Sequence, residues 1–264
     1  MAKILYNEQD PNPPRMHIQV RKGEIGEYVI LPGDPGRCKV IAEFLEDAKL
    51  VAQNREHITY TGWYKGVRVS VISTGMGCPS AAIAAEEAFQ CGAKVLIRLG
   101  GGLLLQPDKI KAGDVAITLG SMKCEGTTSA FVPDSFPAAA DPDVVIALIR
   151  SAQKFLQDTG FAYHTGITAT IDAFYGETPE MLDGFRKLGI INVEMESAAI
   201  FTVAQQHGIR AGCICACGND DNTEDGTLTR NSATARQIKI TLEAIRLLDE
   251  MRAANCTLLQ EGDI

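Results

Sequence analysis

Apolar residues along the chain follow two rhythms. Short apolar, β-prone runs at 28–31, 68–73, 94–99, 114–119, 166–170 and 211–217 predict β-strands. Longer stretches with apolar residues every three or four positions, at 37–45, 80–90, 143–157, 197–207 and 230–252, predict helices. Several strands run straight into glycine-rich turns: LPGDPGR (31–37), STGMG (73–77) and RLGGG (98–102). Strand, glycine turn, helix is the order of an α/β sheet whose ligand site lies at the strand ends. No internal repeat, low-complexity segment or linker divides the 264 residues, so a single domain over 1–264 is expected.

Composition narrows the function classes. A net charge of −8 argues against a general nucleic-acid binder. It leaves room for an anionic substrate, because a few placed arginines make a local positive site. No apolar run approaches the roughly 18 residues of a membrane span, and residues 1–14 lack the apolar centre of a signal peptide. A soluble, cytoplasmic chain without a membrane partner is therefore expected. The eight cysteines then read as thiols rather than a disulfide framework. Cys213, Cys215 and Cys217 share one face of a predicted strand, but no CxxC pair or nearby histidine completes a metal site, and they read as small core residues.

Two of the turns suit an anion. Gly33-Asp34-Pro35-Gly36-Arg37 follows a strand and opens a helix. Glycine admits close approach to the backbone, a helix start offers N–H donors, and Arg37 adds a charged fork. Arg98 ends an otherwise apolar strand, where a guanidinium is costly unless paired. A structural ion pair and a phosphate ligand both fit that position. Arg55, in Asn54-Arg55-Glu56-His57, reads either as a third phosphate ligand or as plain loop charge. Val193-Glu194-Met195-Glu196-Ser197 leaves an apolar stretch and enters an amphipathic helix. Carboxylates two positions apart cannot share a helix face, so they do different jobs. Glu194 suits a helix N-terminal charge, Glu196 an acceptor of sugar hydroxyls, and Met195 a cover for an apolar sugar face.

Taken in order and at these intervals, GDPGR, NRE with YTGWYKG behind it, STGMGCPS, the arginine-glycine run followed by QPD and GD, and VEMESAA resemble the hexameric-type nucleoside phosphorylases, the family of bacterial uridine and purine nucleoside phosphorylases. The likeness covers roughly 16–248. It implies a three-layer α/β fold with a twisted mixed central sheet forming a distorted barrel flanked by helices. It also implies dimers assembled into a hexamer whose sites are completed by a neighbour. Carried over position by position, Gly33, Arg37, Arg98 and Gly101 bind phosphate, and Arg55 reaches the neighbour's phosphate site. His17 contacts the ribose 5′-hydroxyl across the same interface. Met76, Val193, Glu194, Met195 and Glu196 line the nucleoside, Glu196 at the 2′- and 3′-hydroxyls, and Phe174 lines the base. In the uridine branch a monovalent cation sits near the positions of Glu56, Met76 and Ser80. No other metal and no cofactor is implied. Inorganic phosphate is the co-substrate.

The chemistry accounts for these residue types. Departure of the base builds positive charge on the ribose, and a phosphate dianion beneath the anomeric carbon stabilises that charge and attacks it. The protein contributes positioning and electrostatics, and a donor must meet the departing base.

Two departures from the family stand out. The run Arg98-Leu99-Gly100-Gly101-Gly102-Leu103 places Gly101 where a hydroxyl usually meets phosphate and Leu103 where glycine usually lies against the base. The Gln-x-Arg pair with which uridine phosphorylases read uracil is absent after Phe174-Tyr175. In purine enzymes an aspartate with a distant arginine serves the base. Here Asn219 falls on the aspartate's place, Asp220 or Asp221 fits if the register slips, and Arg230 falls on the arginine's. Overall likeness, including EGTTSAFVPDSFPAAAD (125–141), favours the uridine branch, with a purine enzyme as the alternative. Related nucleosidases use water and lack the arginine set. A weakened nucleoside-binding protein is the reading from another class.

Overall fold

The computed structural model describes residues 10–218 and 224–254, the side chains of 224–232 excepted. In chain order the elements are β1 (Tyr28–Pro32), α1 (Pro35–Ala42), β2 (Glu46–Asn54), β3 (His57–Tyr64), β4 (Val67–Ile72), α2 (Cys78–Cys91), β5 (Val95–Leu104), β6 (Val115–Cys124), β7 (Ala138–Ala139), α3 (Pro142–Leu156), β8 (Tyr163–Ile171), α4 (Pro179–Lys187), β9 (Asn192–Glu194), α5 (Ser197–Gln206), β10 (Arg210–Gly218) and α6 (Glu224–Ala254).

One mixed sheet runs β10-β6-β8-β9-β5-β1-β4-β3-β2, with β7 beside β6. β10 also pairs with β5, from Arg210 opposite Val95 to Gly218 opposite Leu103, and this closes β10, β6, β8, β9 and β5 into a five-stranded barrel. The expected fold class is the one found. β1, β4, β5 and β10 are parallel neighbours, so their C-terminal ends gather on one side, where an open α/β sheet places its ligand.

All six strands legible in the sequence are present, several of them longer than the apolar run that marked them. β2 and β3 were not legible. The sequence EDAKLVAQN of β2 carries only the three-residue apolar run Leu50-Val51-Ala52 among polar residues, and it forms an edge strand held by pairing to β3. RLGGG, expected to be a turn, lies inside β5: Arg98, Gly100, Gly101 and Gly102 stand opposite Cys213, Cys215, Ala216 and Cys217 of β10. The glycines serve close approach rather than turning. A Cβ on Gly100 would lie 2.8 Å from the Arg98 guanidinium carbon, and one on Gly102 would lie 2.4 Å from Asn192 Nδ2.

Two apolar layers cover the sheet. On one side the small residues Ala81, Ala84, Ala85 and Ala88 of α2 pack with Ala198, Phe201 and Val203 of α5. On the other, α1, α3 and α6 contribute Ile41, Leu148, Ile245 and Leu248. Burying each large side chain contributes about 1.5–3 kcal/mol. Cys213, Cys215 and Cys217 are core residues. Helix starts follow local chemistry: α3 opens with Pro142 behind Asp141, whose Oδ1 accepts from the Val144 N–H at 3.2 Å. No described helix is long and apolar enough to cross a membrane.

Candidate active site

The ends of β1, β4, β5 and β9 bring four motifs together. After β1, Asp34 caps α1 by accepting the Gly36 N–H at 2.8 Å, and the Arg37 N–H bonds the Asp34 carbonyl at 3.1 Å. These bonds consume the helix-start donors that the sequence offered to an anion. GDPGR therefore contributes Gly33, a Cβ on which would stand 3.3 Å from the Gly75 carbonyl, and the Arg37 side chain. Arg37 Nη1 donates to Leu99 O of β5 at 3.3 Å. Burial, and then the Arg98 guanidinium beside it, hold the Arg37 pKa below the usual arginine value. Two cations thus stand close together in a poorly solvated place, an arrangement that an anion relieves.

Arg98 is buried between two carboxylates. Its Nε donates to Glu194 Oε2 at 2.6 Å, its Nη2 pairs with Glu196 Oε2, and its Nη1 is buried with no partner among the described residues. Burial alone would lower its pKa, but Glu196 and Glu194 outweigh this and raise it well above the ordinary value. Arg98 is therefore both an ion-pair partner and a group with a donor left over. Removing one member of such a buried pair costs about 3–5 kcal/mol.

Glu196 ends the site's floor. Its Oε1 accepts the Gly77 N–H at 2.8 Å, which ties it to the turn after β4. Burial raises its pKa, against the pull of Arg98. Glu194 is enclosed, its carboxylate receiving Thr170 Oγ1, Ser197 Oγ and the Glu196 and Ser197 N–H groups besides Arg98. Val193 faces the core and Met195 packs at its edge. Met76 is 84% exposed on the 73–77 turn, and Phe174 is 45% exposed, edge-on to Tyr175 at 5.2 Å. Gly101 is exposed, and a Cβ there meets nothing within 4 Å.

Two predicted residues, Arg55 and His17, lie close to one another. Arg55 is exposed in the β2–β3 turn with φ 51°. His17 pairs with Glu87 at 2.7 Å through Nδ1, and its carbonyl accepts from Asn54 Nδ2, next to Arg55, at 2.7 Å. Glu56 and Ser80, predicted near a cation, are in contact, Ser80 Oγ donating to Glu56 Oε1 at 2.9 Å. Asn219, Asp220 and Asp221 lie outside the described residues. So does the side chain of Arg230.

Sequence reasoning missed Thr170, Ser197 and Gln237. The first two hold Glu194. Gln237 of α6 donates to Gly100 O at 2.7 Å and Ile214 O at 2.5 Å, bridging β5 and β10 behind Arg98. A threonine closing an apolar strand was the available signal for Thr170. Nothing in the sequence marked Gln237.

Strand ends carrying two close arginines, one with a donor unsatisfied among the described residues, beside buried carboxylates define an anion-handling α/β protein. Residues 27–252 match the phosphorylase superfamily, and the chain belongs to that family. It is 39% identical over 248 residues to a uridine phosphorylase of Thermococcus kodakarensis, covering 89% of this chain and 86% of the relative. It is 36% identical over 241 residues to a guanosine phosphorylase of Halorubrum lacusprofundi, covering 88% and 98%. Among solved structures it resembles purine nucleoside phosphorylase from Toxoplasma gondii in complex with immucillin-H, with a TM-score of 0.82, 31% identity, and 90% and 98% of the two chains covered.

Proposed function

We propose that this chain is a pentosyltransferase that cleaves a nucleoside reversibly with inorganic phosphate, giving free base and ribose 1-phosphate, with uridine as the preferred substrate. The observation that carries the reading is the buried, unpartnered Nη1 of Arg98 beside Arg37 and Glu196. Phosphate on Arg37 and Arg98 sits next to a carboxylate suited to the ribose 2′- and 3′-hydroxyls. The two nucleophile-binding cations and the ribose acceptor are then adjacent, as attack on the anomeric carbon requires. The identity to a uridine phosphorylase supports the choice of base.

Within one chain, Arg37 and Arg98 are offset by Glu194 and Glu196. A phosphate dianion needs a further cation. Arg55 of a neighbouring subunit supplies it, with His17 of the same face reaching the ribose 5′-hydroxyl, in a hexamer built as a trimer of dimers. Glu56 and Ser80, with Met76 nearby, are the place for a monovalent cation at that interface. Gly33 and Gly101 let phosphate approach the backbone. Met76, Val193 and Met195 border the nucleoside, and Phe174 borders the base.

Guanosine as substrate is the second reading, favoured by the 36% identity to a guanosine phosphorylase. Asp220 in its protonated form is then the candidate donor to the purine, with Arg230 as its support and Asn219 as a further candidate base contact, all three with side chains outside the described residues. Base release from uridine, thymidine, inosine, guanosine and adenosine, each with and without phosphate, tests the proposal. Phosphate-dependent release fastest from uridine is expected. Release without phosphate would mean hydrolysis, and no release would mean a binding protein.

A further inference from the structure

We propose that Glu194 is a positioning residue that clamps Arg98, so that Nη1 is left facing phosphate, and that it makes no contact with the nucleoside. The inference rests on the function proposed above. The Glu194 side chain is fully enclosed, with 0% exposure. Its Oε1 accepts Thr170 Oγ1 at 2.6 Å and Ser197 Oγ at 2.7 Å. Its Oε2 accepts the Glu196 N–H at 2.8 Å, the Ser197 N–H at 2.9 Å and Arg98 Nε at 2.6 Å. Five donors fill the two oxygens, and no lone pair is left for a ribose hydroxyl.

The clamp fixes a guanidinium that is otherwise free to turn. Arg98 lies across Gly100, where a Cβ would stand 2.8 Å from Cζ and Nη2. Glu194 holds it at Nε and Glu196 at Nη2, which leaves Nη1 as the nitrogen without a partner among the described residues. When the ribose hydroxyls engage Glu196, Glu194 is the partner that keeps the fork in place. The same carboxylate anchors the first N–H groups of α5, coupling the phosphate arginine to the backbone that carries Glu196.

Glu194→Gln tests the clamp without emptying the site. The three N–H donors at Oε2 require an oxygen there, and the amide nitrogen then faces two hydroxyls that can rotate to accept. Shape survives and the charge on Arg98's partner is lost. Losing that charge removes one of the anions that offset Arg98, but it also weakens the charge-assisted bond that fixes the fork, and the clamp requires the second effect to prevail: phosphate affinity, read by calorimetry with inorganic phosphate and no nucleoside, is expected to fall about tenfold. The ratio of KM values for uridine and 2′-deoxyuridine is expected to stay within twofold. In an Arg98→Lys background, which lacks the fork, Glu194→Gln is expected to add little, because residues acting through one another are non-additive.

Unchanged phosphate affinity, or a collapse of the ribose-to-deoxyribose preference, would overturn the inference. So would effects of the two substitutions that simply add. If Glu194→Gln does not fold, Thr170→Val, which trims one donor and leaves the charge, should weaken phosphate binding in the same direction by less, and no weakening is again a refutation. A wild-type protein that binds phosphate yet releases base without it refutes the functional reading instead, and calorimetry on the variants still judges the clamp.

Discussion

Replacing Glu196 by glutamine separates the two jobs that its position allows. In the free protein Oε1 accepts the Gly77 N–H at 2.8 Å and Oε2 pairs with Arg98 Nη2. Glutamine has one oxygen. Facing Gly77, it turns its NH2 toward Arg98, and facing Arg98, it turns its NH2 toward the Gly77 N–H. Either way one donor meets a donor, and a hydrogen bond involving a charged partner is lost, at about 1.5–3 kcal/mol of stability. The catalytic cost is larger. A full negative charge about 4 Å from the cationic ribose, at an effective dielectric of about 20, is worth about 4 kcal/mol, and that stabilisation exists only as the base departs. Allowing for the dipole that glutamine retains, kcat/KM on uridine should fall about 100- to 1,000-fold, since about 1.4 kcal/mol is a factor of ten. The fall on 2′-deoxyuridine, which lacks one hydroxyl partner, should be about tenfold smaller. The assay is initial-rate base release at saturating phosphate, with thermal melts as the folding control. Equal, near-normal activity on both substrates in a folded variant would refute the ribose role and leave Glu196 a structural partner of Arg98. A pH signature accompanies the effect. Burial raises the Glu196 pKa above 4.5, and the ionised form is the active one. The acid limb of kcat/KM should therefore be displaced upward from that of an unperturbed glutamate and be absent in Glu196→Gln. The sign for stability is opposite. The raised pKa makes Glu196 favour the folded state most below pH 4.5, and that contribution is lost as pH rises through the folded value.

Three further outcomes check other parts of the reasoning. Gly101→Ser should fold normally, because its Cβ meets nothing within 4 Å, and by adding a hydroxyl donor it should lower the KM for phosphate by about tenfold; an unchanged or raised KM would show that position 101 does not face phosphate. Glu243 is held at a pKa of about 2: burial works against ionisation, but Lys154 at 2.8 Å, Arg246 at 3.2 Å and Lys65 at 3.0 Å outweigh it. Its contribution is present above pH 4.5 and lost as pH falls toward 2, so Glu243→Gln should cost about 2 kcal/mol near neutrality and flatten the acid side of the stability curve; identical acid unfolding profiles would contradict this. Arg55→Ala and Arg37→Ala should each abolish most phosphate-dependent turnover, and co-refolding the two should restore part of it. No recovery, or an active species sedimenting at the 28.4 kDa chain mass, would rule out a shared site.

The sequence by itself determined the layout of the chain and nominated the candidate residues of the site. Apolar runs such as 94–99 marked the buried parallel strands because such strands are apolar on both faces. Motif order alone named Arg37, Arg98 and Glu196. Tertiary structure decided which strands paired and what each polar group met. β2 was silent because an edge strand draws its stability from one neighbour rather than from its own apolar pattern. RLGGG looked like a turn because glycine is read locally as a breaker, whereas Gly100 and Gly102 are small to admit the Arg98 guanidinium and the Asn192 side chain. The GDPGR turn looked like an N–H cradle until Asp34 took those donors. Glu194 and Glu196 look equivalent in sequence. Only packing encloses one behind five donors and ties the other to Gly77 and Arg98, because the partners Thr170, Gly77 and Arg98 are 24 to 119 residues away along the chain.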